Sequence, residues 1–193
     1  MKIELFICSY YNLKMFVLVF DTETTGLPKK WNGPSSDFPF IIQISWILYD
    51  TELNCIIQEY DNYIKLNHIS IPPETTAING ITNEILQENG IPIQDALNNF
   101  IFALDNCSLI IGHNVNFDKK MIEVEFERNN MQIKLDDKKF FCTMRNAGKI
   151  NGKIPKLSEL HQKLFGFIPD NLHNSKIDVE ITLKCYLELI KNN

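Results

Sequence analysis

Residues 15–20 are all apolar, so polar and apolar positions do not alternate in this run. Such a run predicts a strand buried on both faces, as a central strand of an α/β sheet usually is. The polar sequence Asp-Thr-Glu-Thr-Thr-Gly-Leu follows at once, at residues 21–27. We therefore expect polar side chains at the carboxyl end of a central strand, where open α/β sheets gather their ligands.

Apolar periodicity and turn signals predict the other elements. The turn near residues 50–53 is so short that the strands on either side of it must form an antiparallel pair. Strands followed by helices that alternate with short strands indicate one α/β domain with a mixed sheet flanked by helices. The five predicted strands are residues 15–20, 40–49, 54–66, 108–112 and 139–143. The predicted helices are two short ones between residues 72 and 90, and longer ones at 92–105, 116–129, 157–165 and 176–190.

The length of 193 residues also favours one domain. Residues 1–14 precede the first predicted strand as an extension of uncertain role, and Glu4 interrupts their apolar positions, so they are not a predicted signal peptide. No apolar run is long enough to span a bilayer. Five cysteines without a C-x-x-C pair indicate reduced thiols: Cys8, Cys55, Cys107, Cys142 and Cys185. We expect a cytoplasmic or nuclear protein that is neither secreted nor in a membrane.

Asp21 and Glu23 stand two positions apart, directly after the first predicted strand. If the strand geometry persists, their side chains leave the same face of the sheet. Paired acids at the edge of an apolar core repel each other unless a cation neutralises them, and Mg²⁺ is a natural candidate. In the alternative interpretation the two acids begin a polar turn, which Gly26 and Pro28 would suit. This stretch alone leaves both interpretations open.

Two later stretches share the pattern His-x-x-x-x-Asp: His113 with Asp118, and His173 with Asp178. Five positions correspond to about 140° around a helix, so each histidine must lie in the loop before a helix and each aspartate in its first turn. Carboxylates are stabilised there by the positive end of the helix. Each aspartate taken singly also fits a structural role, because Ser175-x-x-Asp178 resembles a capping box.

The sequence resembles the DEDD superfamily of 3′-to-5′ exonucleases, in its histidine-bearing DEDDh subgroup. The resemblance lies in an ordered set of four acids and one histidine: Asp21, Glu23, Asp118 and Asp178, with His173. That family includes proofreading exonuclease subunits of DNA polymerase III and ribonuclease T. The resemblance covers about residues 15–190, so residues 15–193 are the predicted exonuclease domain. The motifs are D-x-E-T-T-G-L at 21–27, H-N-x-x-F-D at 113–118 and H-x-x-x-x-D at 173–178, with lesser matches at Ile42-Gln43-Ile44, Asn79-Gly80-Ile81-Thr82 and Leu157-Ser158-Glu159-Leu160.

The resemblance implies a ribonuclease-H-like α/β fold and hydrolysis of phosphodiester bonds at nucleic-acid 3′ ends, with release of nucleoside 5′-monophosphates. Two Mg²⁺ or Mn²⁺ ions would be held by the four acids, and two ions about 4 Å apart can bind both the attacking water and the leaving oxygen. His173 would take the proton of the water. The implied catalytic residues are Asp21, Glu23, Asp118, His173 and Asp178.

The same resemblance implies a pocket for the terminal nucleotide, in which the backbone near Thr24 grips the nucleotide and Leu27 wedges against its base. The implied substrate-binding residues are Thr24, Gly26, Leu27, Asn114 and Phe117. His113 is expected to be structural. Ser175 replaces the alanine usual in the third motif, and we expect its hydroxyl to cap the last helix without touching metal.

Residues 29–39 lie outside the family pattern, and their Pro, Gly and Ser content predicts an irregular loop with Trp31 near its start. An exposed tryptophan beside the site could stack on a base. Packing onto its own loop is the commoner role, and we expect that arrangement.

The formal net charge of −5 normally argues against a nucleic-acid partner, but two divalent ions would offset four of these charges. The expected partners are single-stranded DNA or RNA 3′ ends, and a DNA polymerase is a candidate protein partner. DNA of the proofreading or repair type is favoured; the alternatives are an RNA-trimming or oligoribonucleotide exonuclease and an inactive nucleic-acid-binding or assembly module. Six lysines could contact phosphates: residues 138, 139, 149, 153, 156 and 163. The oligomeric state stays open.

Overall fold

The chain is described by a computed structural model that covers residues 16–67 and 69–191, so the predicted extension 1–14 lies outside the described residues. The described part contains one five-stranded sheet and seven helices, with a 3₁₀ turn at Ser35–Asp37. The strands are β1 (Phe16–Thr24), β2 (Ile41–Asp50), β3 (Cys55–Tyr63), β4 (Cys107–Gly112) and β5 (Lys139–Cys142). The helices are α1 (Pro73–Asn79), α2 (Asn83–Asn89), α3 (Ile93–Asp105), α4 (Val115–Arg128), α5 (Thr143–Asn146), α6 (Leu157–Phe165) and α7 (Ser175–Lys191).

The strand order is β3-β2-β1-β4-β5, with β1 at the centre. β1 and β2 are antiparallel, as are β2 and β3, whereas β4 runs parallel to both β1 and β5. The predicted mixed sheet is therefore confirmed, together with the antiparallel pair around the 50–53 turn. Because β1, β4 and β5 are parallel, their carboxyl ends lie along one edge of the sheet.

Apolar side chains of β1 alternate between two cores, as a strand buried on both faces requires. Phe16, Leu18 and Phe20 pack with residues of α3 and α4. Val17 and Val19 pack on the other face with residues of α7. Helices thus cover both faces of the sheet at its centre. None of the helices in the described residues combines the length and the apolarity that crossing a membrane needs.

Three differences between the predicted and observed elements exceed one residue. β1 continues to Thr24, so the interpretation that Asp21 and Glu23 begin a turn is wrong. β3 ends at Tyr63 instead of 66; Ile64 still donates its backbone N–H to the carbonyl oxygen of Ile42 on β2 at 2.9 Å, but the bridge it forms is an isolated one with Ile91. The helix α5 was not predicted; it is a single turn that directly follows β5.

The loop of residues 29–39 is fastened to the last turn of α4 by one buried side chain. The guanidinium of Arg128 donates hydrogen bonds to three backbone oxygens of this segment, at 2.6 Å, 2.6 Å and 2.9 Å: those of Ser35, Phe38 and Pro39. It also bonds to Glu125 Oε1 at 2.7 Å. Glu125 in turn accepts the backbone N–H of Ile41. The irregular loop is therefore held in one position by α4.

We expect Arg128→Ala to lower the free energy of unfolding by about 3 kcal/mol. The substitution removes the guanidinium that pairs with the buried Glu125 carboxylate and donates hydrogen bonds to three carbonyl groups. Burial already raises the pKa of Glu125, and the Arg128 guanidinium opposes that rise. Urea denaturation followed by circular dichroism measures the change. Lys119→Ala is the matched control, since its half-exposed pair with Glu123, at 3.6 Å, is worth less than about 1 kcal/mol. Equal costs for the two variants would contradict the assigned role of Arg128.

Candidate active site

Asp21 and Glu23 lie at the carboxyl end of β1, on the face that α7 covers. The strand conformation continues through both residues, so their side chains point the same way as those of Val17 and Val19. Thr22 points to the opposite face, towards α4. This alternation lets one strand contact two acid-bearing helices at once.

Asp118 is placed in the first turn of α4, directly after the carboxyl end of β4. The backbone turns sharply at Asn114, whose φ of 67° is in the left-handed region. The carboxylate of Asp118 reaches β1, where its Oδ1 accepts two hydrogen bonds from Thr22: one from the backbone N–H at 3.0 Å and one from the hydroxyl at 2.8 Å. Asp118 is thereby fixed beside Asp21.

His173 and Asp178 have the arrangement that the spacing predicted. His173 lies in the loop before α7 with φ 66°, and Asp178 lies in the first turn of the helix. The backbone N–H of His173 donates to Asp178 Oδ2 at 3.2 Å. The ligand atoms of Glu23, His173 and Asp178 all lie within 4.8 Å of one another. The last helix therefore brings its acid and its histidine to the end of β1.

The expected capping role of Ser175 is wrong. Asn174 accepts the backbone N–H of Ile177 at 3.4 Å and is the capping residue, because Ser175 is already the first residue inside the helix. The Ser175 hydroxyl is buried and forms a 2.6 Å hydrogen bond with the hydroxyl of Ser45 on β2. It joins the start of α7 to the sheet.

Burial raises the pKa of all four acids, and the charges of neighbouring acids add to that rise for Asp21, Glu23 and Asp118. The pKa of Asp21 is raised well above its usual value by burial first and then by the charges of Asp118, Asp178 and Glu23. Burial raises the pKa of Glu23 to about 7, against a hydrogen bond from Asn79 that lowers it. The pKa of Asp118 is raised to about 7 and that of Asp178 to about 6, each by burial and against the bonds from Thr22 and His173.

The four acids fit a hard divalent cation. Within residues 16–67 and 69–191 no lysine or arginine forms an ion pair with any of them. Asp178 Oδ1 is buried and has no hydrogen-bond partner among the described residues, which is costly unless a cation satisfies it. Carboxylate oxygens are the ligands that Mg²⁺ and Mn²⁺ prefer.

His113 has the structural role expected for it. Its Nε2 lies 3.2 Å from the carbonyl oxygen of Pro155, which can only accept, so Nε2 carries the proton. Its Nδ1 then accepts from the Thr143 hydroxyl at 3.0 Å. Burial lowers the pKa of His113 to about 4. The neutral ring ties the end of β4 to the segment after α5.

The five predicted substrate residues surround the same edge of the sheet. The Thr24 hydroxyl donates to the carbonyl oxygen of Gly26 at 2.7 Å, and no atom lies within 4 Å of where a Cβ on Gly26 would be. Leu27 is 81% exposed. Asn114 is exposed at the start of α4, and Phe117 is half-buried one turn further on. The contact roles of these residues remain predictions.

Three supporting residues were missed from the sequence, although two of them lie in the lesser motif matches. Asn79 donates to Glu23 Oε2 at 3.3 Å, but its position suggested only the end of α1. Gln43 accepts the first backbone N–H of α7, from Ser175, at 3.3 Å. Thr22 holds Asp118 by hydrogen bonds, and apart from its place between the two acids nothing in the sequence indicated this role.

Solved structures share this fold. The complex of ExoI from E. coli with single-stranded DNA has a TM-score of 0.74 at 24% identity, and covers 93% of this chain and 41% of that one. The nuclease domain of 3′hExo, a DEDDh family member bound to rAMP, has a TM-score of 0.73 at 15% identity over 94% of both chains. These likenesses show the ribonuclease-H-like fold.

Sequence comparison gives the family. The model described as Exonuclease (RNase_T) matches residues 18–186, and the chain belongs to that family. DNA polymerase III subunit epsilon of Pasteurella multocida is 28% identical over 179 residues, which are 89% of this chain and 67% of that protein. The PolC-type DNA polymerase III of Mycoplasma genitalium is 28% identical over 172 residues. The chain spans 11% of the length of that polymerase.

We expect Asp178→Asn to stabilise the metal-free protein at pH 8. A carboxyl group whose pKa is raised on folding binds its proton more tightly in the folded state, so stability falls as pH rises from about 4 to the folded value of about 6. The asparagine variant does not ionise and escapes this loss. Its free energy of unfolding in EDTA should exceed that of the wild type by about 1 kcal/mol or more at pH 8 and by little near pH 4.

Urea denaturation at the two pH values measures this difference. Asp136→Asn, at an exposed acid in the loop before β5, is the control and should change stability by less than about 0.5 kcal/mol at either pH. Added Mn²⁺ should raise the melting temperature of the wild type more than that of Asp178→Asn. A variant less stable than the wild type at pH 8 in EDTA would contradict the raised pKa of Asp178.

Proposed function

We propose that this protein is a metal-dependent 3′-to-5′ exonuclease that acts on single-stranded ends and releases nucleoside 5′-monophosphates. The observation that carries the proposal is the meeting of Asp21, Glu23, Asp118 and Asp178, with His173 beside them, at one edge of the sheet. The direction of hydrolysis follows from the resemblance to the DEDDh subgroup, whose residues these positions match.

The four acids would hold two Mg²⁺ or Mn²⁺ ions. When bound, two such ions polarise the phosphodiester, acidify the attacking water and stabilise the leaving 3′ oxygen. Thr22 and Asn79 hold the carboxylates of Asp118 and Glu23 in position by hydrogen bonds. His173 is exposed and within reach of the acids, so it can accept the proton of the water and pass it to solvent.

DNA is the favoured substrate, because the relatives bear the names of DNA polymerase III and the ExoI structure contains single-stranded DNA. A polymerase partner is proposed on the same ground. The RNA alternative is supported by the nuclease domain bound to rAMP. The two substrates differ in the 2′-hydroxyl, which a protein must contact to distinguish them.

A time course with 5′-labelled single-stranded DNA and RNA of equal sequence tests the reaction. We expect a Mg²⁺-dependent ladder that shortens from the 3′ end and disappears in EDTA. Asp21→Asn, Glu23→Gln, Asp118→Asn and Asp178→Asn should each lower turnover at least about 100-fold, because each removes charge from the proposed metal site. Asp136→Asn should retain turnover.

Intact bands with both substrates, also in Mn²⁺ and with duplex ends, would favour the alternative of an inactive binding module. Retained turnover in all four acid variants would overturn the assignment of the site. A faster ladder on RNA than on DNA would favour the RNA-trimming alternative.

His173→Ala should lower kcat by about 100-fold or more, as expected for loss of a general base. It should leave Mn²⁺ affinity nearly unchanged, because the proposed ligands are the four acids. Calorimetric Mn²⁺ titration and steady-state kinetics on labelled DNA measure the two quantities. A large loss of Mn²⁺ affinity would instead make His173 a metal ligand.

A further inference from the structure

Trp31 is a large aromatic side chain that its surroundings do not cover. Its ring lies 6.3 Å from the ring of Phe38, on the same loop, and 6.4 Å from that of Phe117 on α4. The predicted packing onto its own loop is therefore confirmed. Trp31 nevertheless remains 48% exposed, so one side of the indole faces solvent.

The loop that carries Trp31 is fixed in position. Arg128 holds its far end through the three carbonyl groups described above. The backbone N–H of Lys29 donates to the carbonyl of Asp37 at 2.7 Å, which closes the loop, and Gly33 N–H donates to the carbonyl of Lys30 at 3.1 Å across its tip. An aromatic ring on such a loop is already ordered, so little conformational entropy is lost when a ligand binds.

The Trp31 ring lies beside Phe117, which is one of the predicted substrate-binding residues. Phe117, its neighbour on α4, directly precedes Asp118. Leu27, the exposed residue expected to contact the terminal base, stands at the start of the segment that leads into the loop. Through Phe117, Trp31 therefore adjoins the predicted pocket for the terminal nucleotide.

The charges around Trp31 suit a phosphate backbone. Lys29 and Lys30 are exposed beside it, and Lys120 Nζ lies 5.1 Å from the centroid of the Phe38 ring. Within the ranges that the structure describes, none of these three lysines forms an ion pair. Aromatic faces flanked by free lysines are the surface on which single-stranded nucleic acids stack.

We infer that Trp31, supported by Phe117 and flanked by Lys29, Lys30 and Lys120, is a stacking site for the base next to the terminal nucleotide of a single strand. This inference rests on the proposed function and names a further contact of the same site. Stacking on an indole tolerates every base, so the site would add affinity and length preference without sequence preference.

Tryptophan fluorescence tests the contact directly, because the chain has two tryptophans and Trp46 is 1% exposed. In an Asp178→Asn background with Mg²⁺, a ten-residue oligothymidylate should quench the emission. Trp31→Phe should abolish the quenching. In fluorescence anisotropy with labelled oligonucleotide, Trp31→Ala should weaken affinity about 5-fold or more, and Trp31→Phe should recover most of that loss.

Phe102→Ala is the matched control. Phe102 is 54% exposed on α3, which ends where β4 begins, at the edge of the sheet opposite the site. We expect Phe102→Ala to bind the oligonucleotide with the same affinity as the parent protein. Quenching that persists in Trp31→Phe, or equal affinity losses in Trp31→Ala and Phe102→Ala, would overturn the inference.

Kinetics separate this subsite from the terminal pocket. Trp31→Ala should raise KM for the oligothymidylate about 5-fold or more and leave KM unchanged for the same strand with an abasic nucleotide next to its 3′ end, since that strand lacks the base that would stack. Equal effects on both substrates, or none on either, would overturn the inference. A wild-type protein that hydrolyses neither substrate would contradict the proposed function, and the fluorescence measurement would then decide on the stacking site alone.

Discussion

Repulsion among four partly desolvated carboxylates is the constraint around which this protein is built. The apolar strand β1 carries two of them to the edge of the core, and α4 and α7 add one each from opposite faces. The hydrogen bonds from Thr22, Asn79 and the His173 backbone offset part of the cost of bringing them together. The remaining cost is what the proposed cation would offset, and this fits the site to the phosphate chemistry proposed for it.

The two helices that complete the site also hold parts of the fold together. α4 begins with Asp118 and ends with Arg128, so the helix that supplies an acid also orders the loop bearing Trp31. α7 is joined to β2 through Ser175, Ser45 and Gln43. The position of each acid therefore depends on polar contacts that are buried between a helix and the sheet.

Local patterns were enough to predict most of the fold, whereas the candidate site was assembled from the resemblance of the ordered motifs to a known family. The apolar run before Asp21 and the His-x-x-x-x-Asp spacing describe short segments, and segments of that kind leave a clear pattern in a sequence. The supporting contacts leave no such pattern in the sequence, because they join distant residues: Thr22 with Asp118 across 96 positions, and Ser45 with Ser175 across 130. Ser175 illustrates the difference, since its local context suggested a helix cap and its distant partner decided its role.

The placement of the acids along the chain has a consequence for the protein during its synthesis. Asp21 lies in the first described strand and Asp178 in the last helix, so a growing polypeptide holds an incomplete ligand set until the segment forming α7 has left the ribosome. Any product of premature termination before that helix lacks the fourth acid. On the proposed assignment of the site, the protein gains its activity only once this helix has been made.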